Sequence, residues 1–149
     1  MTPHKQRYRH RPEKGEYGDC HRTAIACLLD FEPEAVPNFG QWYSEELHGD
    51  RFHVECAKYL ESQGLRAVET PYNDTLENVL TSIAVLNPGV YYLLCGESRS
   101  GVNHTVIGLG DRIVWDPSLD DVGIVGPSKP NGYYWVTWFV STRFVAEVR

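Results

Sequence analysis

The sequence predicts an α+β domain, with N-terminal helices packed on a C-terminal antiparallel sheet. Apolar residues recur at helical spacing in the first half, as in Ala24, Ile25, Cys27, Leu28 and Leu29. The second half instead carries short runs rich in Val, Ile, Tyr and Trp, which fit a pleated, half-buried surface. That segregation argues against alternating βαβ units. At 149 residues, without an internal repeat or linker-like stretch, the chain suits one domain. A chain this long buries roughly 70% of its unfolded surface, enough to hold a core without disulfides or metal.

The elements follow in order. Residues 1–14 hold Lys5, Arg7, Arg9, Arg11 and Lys14 against Glu13 alone, so they read as a basic arm and a solvated tail. The domain proper is expected over 15–149. Asp19 is placed as the N-cap of a helix from Cys20 to Asp30. Pro33 opens a short turn at 33–36. A second helix spans Phe52 to Gln63 and stops at Gly64, a C′ glycine. Leu65–Thr70 is a strand. Asp74 and Glu77 resemble a capping box for a helix over 75–84. Asn87-Pro88-Gly89 is a turn. Strands are expected at Val90–Cys95, His104–Leu109, Arg112–Asp116 and Tyr133–Val140, with polar loops at Gly96–Asn103 and Pro117–Gly132.

Composition excludes several classes. No apolar run approaches the ~18 residues of a membrane span, and the N-terminus lacks the apolar stretch of a secretory signal. A cytoplasmic, reducing compartment and no membrane partner are therefore expected. Residues 15–149 carry 9 basic and 19 acidic residues. Nucleic acid is a disfavoured partner, because that acidic body repels phosphates and backbone charge dominates such binding. The four cysteines, at 20, 27, 56 and 95, form no C-x-x-C, so neither metal nor cofactor is expected.

Cys20 differs from the other three, which lie among apolar neighbours. It falls in the first turn of a helix, where free N–H groups and the helix dipole favour the thiolate. Its own backbone N–H is placed to meet an oxyanion. His104 opens one strand and Asp116 closes the next. Pairing Gly108 with Arg112 gives a three-residue turn, 109–111, and sets His104 opposite Asp116. Ile107, Leu109, Ile113 and Trp115 then share one face. His104, Val106, Val114 and Asp116 share the other, against which the start of the Cys20 helix is expected to pack.

Gly18-Asp19-Cys20, the following Arg-Thr-Ala-Ile-Ala-Cys-Leu-Leu and Glu34-Ala-Val-Pro-Asn-Phe39 resemble small papain-like cysteine peptidases of phage and bacterial genomes. Gly96–Gly101, Asn103–Gly108 and Val114-Trp-Asp-Pro-Ser118 are similar to the same family, and to peptidases that cut bacteriocin leader peptides. The matching segments cover about half the chain. The resemblance implies a papain-like fold with Cys20 as nucleophile, His104 as base and Asp116 as orienting acid. Where many papain-like enzymes carry glutamine, six residues before the cysteine, this chain has Lys14. Gln6, 14 residues upstream of Cys20, is then the candidate second oxyanion donor beside Cys20's N–H. Asp19, Trp42, Ser98 and Asn103 are expected to contact substrate, and Tyr43 to border the cleft.

The leading functional expectation is a cysteine hydrolase of amide bonds, foremost a peptidase, with a peptide or protein substrate. Three alternatives share the fold: a peptidoglycan endopeptidase, an amide-transfer enzyme, and a binding module that has lost turnover.

Overall fold

The computed structural model describes residues 1–147. Among them are four α-helices, α1 (Cys20–Leu29), α2 (Glu45–His48), α3 (Arg51–Ser62) and α4 (Leu76–Leu86). Five strands, β1 (Leu65–Tyr72), β2 (Tyr91–Glu97), β3 (Asn103–Leu109), β4 (Arg112–Trp115) and β5 (Tyr134–Ser141), form one antiparallel sheet in the order β1-β5-β2-β3-β4. The class is α+β, as the sequence predicts.

The helices pack on both faces of the sheet, because each face of β2 and β3 is apolar. Leu93 and Ile107 meet Ala24, Ile25 and Cys27 of α1 and Leu60 of α3. Tyr92, Leu94 and Val106 meet Val79 and Ile83 of α4 on the other face. Each fully buried Leu or Ile contributes roughly 1.5–3 kcal/mol relative to exposure. Gly108 is required in the second layer. A Cβ there would overlap the Tyr92 ring, whose hydroxyl donates to Gly110 O at 2.9 Å.

Caps differ from expectation in two places. Asp19 occupies the N-cap position of α1 but makes no cap hydrogen bond, because its carboxylate is taken by other partners. Thr75, not Asp74, caps α4, accepting the Asn78 N–H at 3.2 Å. Asp74 instead accepts from Thr75 N and Asn78 Nδ2, so the capping signal lies one residue further on. The α3 end is as expected: Gly64 follows the cap with φ +72.

The β3–β4 hairpin also departs from the expected register. Leu109 pairs with Arg112 across a two-residue turn, Gly110-Asp111. Gly110 has φ +61, the left-handed geometry that lets so tight a turn follow strand twist. A bulge then shifts the register, so that Gly108 pairs with Ile113 but Ile107 with Trp115. The extra residue, Val114, restores the parity that the short turn removes. His104 and Asp116 are therefore not directly opposed, yet lie on the same side.

Residues 1–14 are not a solvated tail. Thr2 N donates to Cys27 O at 3.0 Å and Gln6 N to Pro117 O at 2.8 Å. Trp115 Nε1 donates to His4 O at 2.8 Å, and Lys5 Nζ to Asp116 O at 2.9 Å. The basic charges find acidic partners on the body: Arg7 with Glu34, Arg9 with Asp120, Arg11 with Glu16. Charge pattern alone marks the arm as basic; it takes the fold to bring those carboxylates under it.

Candidate active site

Three elements deliver Cys20, His104 and Asp116 to one place. Cys20 is the first residue of α1, His104 the second residue of β3, and Asp116 directly follows β4. His104 Nε2 donates to Asp116 Oδ1 at 2.7 Å, which leaves Nδ1 for the thiol. The carboxylate is held on two further sides, by Ser118 N and Gly123 N, each at 2.8 Å. His104 is 6% exposed.

The sulfur reaches the imidazole by an unexpected route. The body of α1 packs against Ile107 and Leu93. Strand alternation puts His104 on the other face, with Val106. The body of the helix therefore lies on the opposite face from the one expected, while Cys20 at its start still lines the same cavity as His104. β4 pairs only with Ile107–Leu109, so the edge of β3 near His104 is open. The next residue of α1 meets the strand there: His21 Nδ1 lies 3.1 Å from Thr105 Oγ1.

Electrostatics distinguish this cysteine from the others. Burial pushes the Cys20 thiol up, but the charge and hydrogen bond of His104, with the Thr105 N–H, bring it below its ordinary 9.0. Burial alone would lower His104; the Cys20 charge and the Asp116 bond instead raise it to about 9. Burial would likewise raise Asp116, yet the His104 bond and the two backbone N–H groups hold it well below the usual carboxylate range. The site thus favours a thiolate–imidazolium pair beside an ionised carboxylate. Burial drives Cys56 and Cys95 the opposite way, each to about 12. His21, adjacent to Cys20 in sequence, is pushed down to about 4 by burial and faces Thr105 and Cys56 rather than the cleft.

A cavity of about 290 Å³ opens beside Cys20 and His104, and Gln6, Ser98 and Asn103 are among the other residues that line it. Gln6 does fold back to the cleft, although its Nε2 donates to Tyr8 O at 2.5 Å. The expected substrate contacts fare unevenly. Asp19 is no cleft residue: its side chain is fully buried and saturated by Arg7, Tyr8 and Arg22. Trp42 packs against the α1 core under the Arg51 guanidinium, 4.6 Å from the ring, so it is held by the body rather than offered to the cleft. Ser98 lines the cavity, but its hydroxyl is spent on Val102 O and Ser100. Asn103 also lines it and ties the rim, donating to Tyr43 Oη at 2.9 Å and Lys129 O at 2.7 Å.

The chain matches no family model, no curated protein and no solved structure.

Several cleft residues carry no sequence signal. His10 Nδ1 accepts the Gly18 N–H at 3.2 Å and its ring stands edge-on to Tyr43. The Arg9–Asp120 ion pair and Leu119 also line the cavity. All lie in irregular segments, where periodicity is silent. Among the described residues no three His, Cys, Asp or Glu side chains converge as metal ligands would, and no helix is long and apolar enough to cross a membrane.

Proposed function

We propose that this chain is a cysteine hydrolase of amide bonds, acting on peptide or protein substrates through Cys20, His104 and Asp116. One observation carries the reading: a thiol in the first turn of a helix is acidified against its own burial by an imidazole that a carboxylate orients at 2.7 Å. Buried structural cysteines behave otherwise, as Cys56 and Cys95 do.

The chemistry follows from the charge states. The Cys20 thiolate attacks the carbonyl carbon, and the oxygen gains charge against the Cys20 N–H and the Gln6 amide. The tetrahedral intermediate collapses as His104 gives its Nδ1 proton to the leaving amine, breaking the C–N bond and leaving a thioester. His104, now neutral, takes a proton from water, and the resulting hydroxide releases the acid and regenerates the thiolate. Asp116 stays ionised and keeps the Nε2–H tautomer throughout. The helix-borne Cys and strand-borne His are the arrangement that the papain-like resemblance implies. Four unpaired thiols support a reducing, cytoplasmic setting.

The test is hydrolysis of a mixed library of internally quenched peptides by the full chain, beside Cys20→Ala. Cleavage by the first and none by the second is the expected result. Equal cleavage by both, or none by the wild type, overturns the reading.

A further inference from the structure

Asp19 precedes the nucleophile, yet its side chain turns away from the cleft. Its side chain has no exposed surface. Oδ1 accepts the backbone N–H of Arg7 at 3.0 Å and of Tyr8 at 2.9 Å. Oδ2 accepts both Nε and Nη2 of Arg22 at 3.0 Å. Arg22 is itself buried, and its Nη1 donates to Val36 O at 3.2 Å. A buried carboxylate persists only when paired and fully hydrogen-bonded. Here the pair with Arg22 fixes Oδ2, which leaves Oδ1 as a rigid clamp on two consecutive peptide groups.

That clamp leads to the cleft. The carbonyl of Tyr8 accepts from Gln6 Nε2 at 2.5 Å. A primary amide has two N–H groups, so one is held and the second, with no partner among the described residues, can meet a ligand. On its other side Gln6 is pinned by its backbone N–H on Pro117 O. The line of bonds runs from Asp19 Oδ1 through the Tyr8 N–H and C=O to the Gln6 amide, which lines the same cavity as Cys20.

We infer that Asp19 is a positioning residue: by clamping Arg7 and Tyr8 it aims the Gln6 amide at the carbonyl oxygen that Cys20 attacks. This rests on the hydrolase reading above. Asp19 touches no reacting atom; its effect passes entirely through Gln6.

The test compares two reactions of Cys20 in the full-length chain. One is hydrolysis of the fastest-cleaved peptide from the quenched library. The other is alkylation by iodoacetamide, a displacement at saturated carbon that forms no oxyanion. Gln6→Ala and Asp19→Ala should each lower kcat about 10²-fold, the usual cost of an oxyanion donor. Both should leave the alkylation rate per Cys20 within about twofold, since the thiolate is untouched. The double variant should fall no more than about threefold below the worse single, because the two losses are one interaction. Losses that multiply, or an Asp19→Ala variant with wild-type kcat, overturn the inference while wild-type turnover keeps the hydrolase reading alive. A wild type that cuts no peptide overturns both. Should Asp19→Ala not fold, the pair Asp19→Asn with Arg22→Gln replaces it. That pair keeps the Oδ1 acceptor and exchanges the buried charges for amides. Its kcat should stay within about tenfold of wild type; a loss as large as that of Gln6→Ala overturns the clamp.

Discussion

Asp116 Oδ1 accepts His104 Nε2 at 2.7 Å, and the same carboxylate accepts the backbone N–H groups of Ser118 and Gly123. It therefore ties the imidazole to the loop at 117–123, which also supplies Ser118, Leu119, Asp120 and Val122 to the cleft wall. Asp116→Ala removes the orientation of the base but not the base. Hydrolysis should fall by on the order of 10²–10⁴-fold, the span of an acid–base contribution, and by less than for His104→Ala, which removes the proton carrier. Hydrogen exchange at Gly123 should speed up in the same variant. Wild-type turnover by Asp116→Ala would make the carboxylate purely structural.

The pH dependence follows from the same pair. Cys20 lies below 9.0 and His104 at about 9, so between those values the site holds thiolate and imidazolium together. Alkylation needs only the thiolate, and its midpoint should lie below pH 9.0. Hydrolysis also needs the imidazolium proton, so it should rise with Cys20 ionisation and fall as pH passes about 9, where His104 loses its proton. In His104→Ala the counter-charge is gone and burial acts nearly alone, so the alkylation midpoint should move above 9.0. A midpoint that stays put in that variant rules out the ion pair.

Selectivity among the four thiols is a second readout. Cys56 and Cys95 are raised to about 12, and Cys27 is raised, in each case first by burial. At pH 7 iodoacetamide should mark Cys20 at least on the order of 10²-fold faster than any other, since thiolate fraction sets the rate. Cys20→Ala should lose this fast phase and keep its melting temperature, because a first-turn position accepts alanine. Peptide mapping of the labelled wild type checks it; equal labelling of several cysteines is the contrary result.

Much of this site was legible because its signals are local. A helix start after Gly18-Asp19, a strand opening at His104 and a strand ending before Asp-Pro each show in a few adjacent residues. The same holds for Gly64, whose positive φ ends α3 as expected. What escaped depends on distant partners. The bulge at Val114 shifts the register between Gly108 and Ile107, and no turn rule encodes it. Asp19 has the chemistry of an N-cap, and only the folded N-terminal segment draws its carboxylate to Arg7 and Tyr8. Trp42 and Tyr43 are adjacent aromatics of similar propensity, yet Trp42 packs against the α1 core while Tyr43 stays half exposed beside Asn103.

Gly40 offers a test of how tightly the nucleophile's approach is built. A Cβ at this position would overlap the carbonyl oxygen of Gly18, two residues before Cys20. Backbone cannot yield as a flexible side chain can, so Gly40→Ala should shift the Gly18–Cys20 segment. Overpacking of this kind costs about 1–3 kcal/mol, measurable as a lower denaturant midpoint. Turnover per alkylatable Cys20 should also drop, since small misplacements of reacting groups are costly. A variant with both values unchanged would show that the segment relaxes freely.

Deletion of residues 1–8 separates a docked segment from a tail. The deletion removes the bonds of Thr2 to Cys27, Gln6 to Pro117, Lys5 to Asp116 and Trp115 to His4. It also strips both backbone donors from the buried carboxylate of Asp19. Each lost bond is worth roughly 0.5–1.5 kcal/mol net, and an unsatisfied buried group costs about 1–3 kcal/mol. The exposed ion pairs of Arg7 add little, because solvent screens them. The truncated chain should therefore lose several kcal/mol of stability, on the order of a third of a typical domain's total. Its urea midpoint should fall accordingly while its m-value stays close to that of the full chain. Peptide hydrolysis should drop about 10²-fold, as for any lost oxyanion donor, even under conditions where the truncated chain is fully folded. An unchanged midpoint would mean the segment is free in solution, and the cleft would then have to find its second donor in another part of the chain.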